Sequence, residues 1–338
     1  MFKKILTVLI GICMFVMLTG IYSFAADNVI NVRLAINQDP GTPQYRSSML
    51  FAEKVKELSN GTIAVTVYPS MQLGGYREQP EMVQTGTIEM TKTTGTVASN
   101  FAKDFEAFDI PFLFNNTRAM RAVLNGPVGK EIAESLRDQG FVPLGYSTGG
   151  LKQMTANRPI HNPDDFKGLK FRIMASTILT ETYKSLGANP VPIDFAELYN
   201  ALQQGVVDGQ ENPLQTVDMM KLWEVQDHLT LSNIGPMIYV VVANQNWFEN
   251  LSQELQQNII DAFDYALATE WGDNDSQEEA WLENAINNGM EVYYPTDSDM
   301  QAFRDKTKGV VNLIRDRVGS DLVDRLMEAA KEANEEYQ

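Results

Sequence analysis

The sequence predicts an α/β protein built from two lobes of similar design. Two observations carry that reading: one order of strands and helices occurs twice, and a single long helical pattern follows the second occurrence. The chain of 338 residues is long enough for two domains at roughly 100–200 residues each. With 44% hydrophobic and 21% charged residues, its composition is that of a globular protein.

In the first half, Ile30, Val32, Leu34 and Ile36 alternate as a half-buried strand. The turn formers of 39–43 follow, and then Met49, Ala52, Val55 and Leu58 recur at helical spacing until Asn60-Gly61 stops the helix. Ile63, Val65 and Val67 form a second strand. After Gly74-Gly75, a helix runs through Met82 and Val83 to Gly86, and a short strand is predicted over 87–90.

The second half repeats this order. Leu169, Phe171 and Ile173 alternate, a helix spans about 177–186, Gly187 stops it, and 190–193 form a strand. Asp194 can cap the next helix with Glu197 reciprocating. Its apolar stripe is Phe195, Leu198, Tyr199 and Leu202, and the closing strand is predicted over 206–209 after Gly205. Residues 238–243 read as a buried strand, and from Ser252 a helical pattern runs toward Ile286. Its roughly 35 residues would span roughly 50 Å, more than one lobe, so it should lie across both.

Alternating strands and helices imply mostly parallel sheets covered on both faces. Ligands of such sheets sit beyond the carboxyl ends of strands, near helix N-termini that favour anions. Two lobes with those edges facing each other make a cleft.

The N-terminus is of a different kind. Lys3 and Lys4 precede an apolar run to Ile21, and Ser23-Phe24-Ala25 supplies small residues where a signal peptidase cuts, so 1–25 reads as a secretory signal. Cleavage takes the formal charge from −17 to −19 and removes Cys13, the single cysteine. No later run approaches the ~20 apolar residues of a spanning helix. Without clustered Lys and Arg the chain is not a nucleic-acid binder.

Catalytic and metal-site signals are missing. His161 and His228 are the two histidines, and neither has a metal-ligand partner at helical spacing. The stretch 126–130 superficially resembles a phosphate loop, but Glu131 stands where that loop needs Ser or Thr. It reads instead as a turn leading into a helix over 131–139. No cofactor is predicted.

Several blocks resemble one family. They are Asn157-Arg158-Pro159-Ile160, the run from Asp164 to Arg172, Ser185 to Pro190, Phe195 to Gln203, and Gly205-Val206-Val207-Asp208-Gly209-Gln210-Glu211-Asn212-Pro213. With Tyr68-Pro69-Ser70, Gln72-Leu73-Gly74 and Asp109 to Phe114, they resemble the substrate-binding proteins of tripartite ATP-independent periplasmic (TRAP) transporters, DctP-type, over essentially the whole mature chain. The resemblance implies a two-lobed periplasmic-binding-protein-like fold, each lobe a mixed sheet flanked by helices. The lobes would be 26–150 plus 238–280 and 151–237 plus 281–338. It implies a periplasmic, non-enzymatic and monomeric protein that captures a small carboxylate and delivers it to TRAP membrane permease subunits. The alternatives are a sensor subunit and, in another class, a periplasmic hydrolase or lyase.

The resemblance also implies site residues. Arg172 matches the arginine that pairs with the ligand carboxylate, a role suited to a planar, always-charged fork. Asn212 matches a second polar contact, and Phe195 an apolar wall. Lys152 stands where many members carry a second Arg, and Thr94 where sialic-acid binders have Glu. Asn37, Gln38 and Arg77 complete the expected set.

Overall fold

The computed structural model describes residues 29–337, and the predicted signal segment lies outside them. The first repeat comprises β1 (Ile30–Ala35), α1 (Pro43–Leu58), β2 (Ile63–Tyr68), α2 (Glu78–Gln84) and β3 (Met90–Thr94). Then follow α3 (Gly95–Ala98), α4 (Thr117–Asn125), α5 (Pro127–Glu134) and the 16-residue strand β4 (Phe141–Ala156). The second repeat comprises β5 (Lys170–Ile173), α6 (Thr177–Leu186), β6 (Asn189–Pro192), α7 (Leu198–Gln203) and β7 (Gly209–Pro213). The chain continues through α8 (Leu214–Met219), β8 (His228–Asn244), α9 (Gln245–Glu249), α10 (Gln253–Asn287), β9 (Glu291–Tyr293), α11 (Asp297–Val318) and α12 (Ser320–Glu336).

The strands form one sheet in the order β2-β1-β3-β8-β4-β7-β5-β6, with β9 also on β8. This order reads the same from either end once β1, β2 and β3 are equated with β5, β6 and β7. In each triplet the strand pairs are parallel, and each triplet joins its long central strand antiparallel. The repeat in the sequence is thus a repeat in the topology. β4 and β8, paired antiparallel along most of their length, belong to both halves.

Helix ends follow local chemistry. Thr42 caps α1, its hydroxyl accepting from the Tyr45 N–H, and Pro43 supplies the first residue, whose missing N–H costs nothing there. Ser176 caps α6 in the same way, and Gly187 ends it at φ +99°, a conformation that penalises any side chain. Ser252 caps the 35-residue α10. Its Ile259 and Phe263 pack in the core beside β1 and α1, whereas Trp281 and Ala285 pack with α7 and α8. The helix therefore crosses both halves, as its predicted length required.

Several expectations shift. The strands predicted over 87–90 and 206–209 begin at Met90 and Gly209 instead, each four residues after a left-handed glycine, Gly86 or Gly205. Val206 is exposed, and Glu89 turns back to receive the Arg33 backbone N–H and guanidinium. Asp194 makes no side-chain cap, because Phe195–Glu197 forms a tight 3₁₀ turn before α7. The helix predicted over 131–139 starts at Pro127, favoured in a first turn, and ends at Glu134. The predicted lobe boundaries at 150/151 and 237/238 fall inside β4 and β8. Val310, Ile314, Leu322 and Leu326, allotted to the second lobe, are buried with Met120 and Ile132 in the first half's core. α11 crosses over: Phe303, a few residues earlier, belongs to the second half's core.

Candidate functional site

A cavity of about 170 Å³ opens where the carboxyl ends of the two strand triplets face each other. Asn37 and Gln38 follow β1, Thr94 ends β3, Met174 follows β5, Phe195 follows β6 and Asn212 lies near the end of β7. The cavity thus lies where ligands of open α/β sheets sit, but drawn from both halves at once. Tyr76 from the first half meets Phe195 from the second edge to face, centroids 5.7 Å apart, so the walls touch across the gap. Tyr76 also lies parallel to Tyr239 of β8 at 6.5 Å. Burial pushes both phenols up, so each hydroxyl keeps its proton.

Strand parity sorts the polar residues. Arg172 is in register with Gln210 in the parallel β5–β7 pair, and Gln210 and Asn212 are two apart on β7, so all three side chains share one sheet face. Met174, two beyond Arg172, is on the cavity wall. On that face the Asn212 amide donates to Gln210 Oε1, and the Gln210 amide donates to Thr155 Oγ1 at 3.0 Å.

Arg172 is 2% exposed. Its Nε donates to the Ile193 carbonyl at 2.9 Å, and among the described residues its two terminal nitrogens make no hydrogen bond. No carboxylate within 4 Å pairs with it among those residues. Burial lowers its pKa to about 10, against the more distant charge of Glu211 and the groups of Tyr76 and Asp194. Arg172 is not itself among the residues that line the cavity; it sits on the sheet face that carries Asn212 and Met174, which are.

Lys152 goes elsewhere. Its strand neighbours point it to the opposite face from Asn212, where its Nζ pairs with Glu211 Oε1 at 3.0 Å, both side chains 2% exposed. A separate small cavity lies there, lined by Asp109 and Tyr183 as well. Burial raises the Asp109 carboxyl to about 6 even though it accepts from Ser176 at 3.2 Å and from Thr96 at 3.3 Å. Arg77 also falls outside the cavity lining, because it precedes α2 on the exposed side and pairs with Glu81 one turn on, at 3.2 Å.

Thr94 lines the cavity, yet its hydroxyl is committed to capping α3 through the Val97 N–H. Sequence reasoning missed Tyr76, Tyr239, Gln215 and five methionines of the wall. Tyr76 could have been found: it precedes α2 just as Phe195 precedes α7. It missed also the buried Lys92–Glu270 pair, 2.6 Å, which with Ser47 and Ser147 ties α1, β3 and β4 to α10. A wider trough of about 480 Å³ beside α11 and α12 contains none of the expected residues, and its Arg304 already donates to the Phe112 carbonyl.

Two α/β halves of matching topology with a cavity between them have the architecture of a solute-binding protein. The family model of bacterial extracellular solute-binding protein, family 7 (DctP), matches residues 34–316, and the chain belongs to that family. It is a binding protein of the TRAP type and not an enzyme. The C4-dicarboxylate-binding periplasmic protein DctP of Rhodobacter capsulatus is 31% identical over 98% of this chain and 99% of its own. Among solved structures, the sugar acid binding protein of Advenella mimigardefordensis in complex with galactonate has a TM-score of 0.87 at 31% identity, covering 90% of this chain and 99% of that one. A TRAP periplasmic solute binding protein from Shewanella oneidensis with bound succinate has 0.86 at 30%, with the same coverage. No helix among the described residues is long and apolar enough to cross a membrane.

Proposed function

We propose that this protein captures a small organic acid by its carboxylate on Arg172, with Asn212 as a second polar contact, and hands it to TRAP membrane permease subunits. The observation that carries the reading is the buried Arg172 guanidinium, whose terminal N–H groups have no partner among the described residues. An uncompensated buried cation costs several kcal/mol, and a bound carboxylate would recover that through a bidentate pair. The relatives' printed ligands, succinate and galactonate, are both carboxylates. The acid would close the lobes by touching both, with Asn37 and Gln38 in one and Asn212 and Phe195 in the other. The lobe division that fits the cores gives 310–336 to the first lobe and leaves β4, β8 and α10 as shared elements. The deciding experiment is mass spectrometry of whatever the natively purified protein releases on unfolding, followed by titration of that compound into the parent and Arg172→Ala. Release of a compound without a carboxylate, or equal affinity in the two proteins, refutes the reading.

A further inference from the structure

Resting on the carboxylate reading, we infer that the acid is a monocarboxylate with a compact apolar body and a hydrogen-bond donor beside the carboxylate, such as a branched 2-hydroxy acid. Five methionines line the cavity: Met71, Met174, Met219, Met220 and Met237, with Phe195 among them. Thioether side chains are apolar and adaptable, and they offer no strong partner to a hydroxyl or a carboxylate. The polar groups of the same lining, among them Asn37, Gln38, Asn212 and Thr216, suffice for a carboxylate and a few further polar contacts, but a polyhydroxy acid would also set hydroxyls against the thioethers. A dicarboxylate would need a second cation, and the next cations are committed or turned away. Lys152 pairs with Glu211 on the opposite sheet face, Lys92 pairs with Glu270 in the core and Arg77 is exposed outside the cavity, while Asp39 on the cavity wall repels a further negative charge.

The donor requirement comes from two amide oxygens. Gln79 is fixed because its Nε2 donates to the Gly74 carbonyl at 2.7 Å, so its Oε1 faces Thr91 and Asn37. Asn37 must then present its Nδ2 to that oxygen, at 3.2 Å. This leaves Asn37 Oδ1 without a partner, and Gln38 Oε1 is likewise buried and unpaired while its Nε2 faces the Tyr76 hydroxyl. Asn37 and Gln38 are 4% and 5% exposed, and both line the cavity. Two buried acceptors call for an O–H or N–H on the ligand. Size agrees: an apolar cavity of ~150 Å³ takes benzene, so about 170 Å³ suits a short branched chain with its carboxylate reaching the wall.

The test titrates the stripped, refolded mature protein calorimetrically with five probes: 2-hydroxy-4-methylpentanoate, 4-methylpentanoate, leucine, succinate and galactonate. The hydroxy acid should bind at least about tenfold tighter than succinate or galactonate, since each of those leaves a polar group unpaired. Removing the hydroxyl should cost up to about tenfold, one hydrogen bond's worth. In Gln38→Met, nearly the same size without the acceptor, that difference should shrink, and Asn37→Ala serves as the second variant. Leucine binding tighter than the hydroxy acid would make the donor an ammonium, within the same class. Succinate or galactonate binding tightest overturns the inference and leaves the carboxylate reading standing. If no acid binds, or if Arg172→Ala binds them all like the parent, the carboxylate reading itself falls.

Discussion

Replacing Arg172 separates a ligand anchor from a structural arginine, because the two predict opposite effects on stability. Burial, chiefly, holds the guanidinium at a pKa of about 10, well below the ordinary arginine value. At ~1.36 kcal/mol per unit, keeping it charged in the folded protein at pH 7 costs on the order of 3 kcal/mol. Against this stands one hydrogen bond, to the Ile193 carbonyl, of ~1.5–3 kcal/mol for a charged donor. Arg172→Met removes both terms and fills much of the space, so the ligand-free protein should melt at or above the parent's temperature. Binding should behave otherwise. A carboxylate left in that wall without its cation is destabilised by about 3–5 kcal/mol, a loss of at least about 100-fold in affinity at ~1.4 kcal/mol per tenfold. Arg172→Lys should recover only part, since an ammonium cannot make the two parallel bonds. The assay is calorimetric titration of the recovered acid into each variant, alongside thermal melts without it. A melting temperature that falls as for a broken buried ion pair, with affinity within a few-fold of the parent, would refute the reasoning.

Other perturbations test the frame around the site. Glu270→Ala should strand Lys92 inside the protein and destabilise it by about 3–5 kcal/mol in denaturant melts, whereas Lys92→Met with Glu270→Met should recover most of that loss. Asp109 binds its proton more tightly in the folded protein than in the unfolded chain, so acid favours the fold. That contribution is present below 3.8 and lost as the pH rises through about 6, and Asp109→Asn should flatten this part of the stability–pH curve. Gly209→Ala would set its Cβ 2.6 Å from the Thr155 carbonyl oxygen, and the forced shift between β4 and β7 should cost about 1–3 kcal/mol, read in the same melts. Adding the recovered acid should shrink the radius of gyration in solution scattering, and no change at saturation would remove the clamp from the reading.

What the sequence disclosed and what it hid divide along physical lines. Periodicity located α1, α6 and α10 with their ends, because an apolar stripe and a cap are local properties. The strands β3 and β7 were displaced by three residues, because Thr87–Glu89 and Val206–Asp208 look apolar enough for a strand while the left-handed Gly86 and Gly205 delay pairing. β4 was not anticipated at all. Pro143, Gly145, Gly149 and Gly150 interrupt its alternation, and the register shifts three times against β8. Of the expected site residues, Asn37, Gln38, Thr94, Phe195 and Asn212 reach the cavity lining, whereas Arg172 and the exposed Arg77 stand outside it. Lys152 does too, since one position along β4 reverses the face. The methionines carried no signal, because a thioether in a core and one in a binding wall have the same spacing.

The topology explains why the site falls where it does. Each strand triplet alone ends in a row of loops and helix N-termini open to water, a surface on which a small anion would stay hydrated. Facing the two rows across β4 and β8 encloses the cavity from both sides, and on the proposed reading the charge of Arg172 then acts through a lower dielectric than at an open surface. The same enclosure makes the cation costly when alone. The fold meets that cost with shared elements: α10 is locked to the first half by Lys92–Glu270 and packs Trp281 into the second. The elements that join the two triplets are therefore also the ones that hold the cavity between them in place.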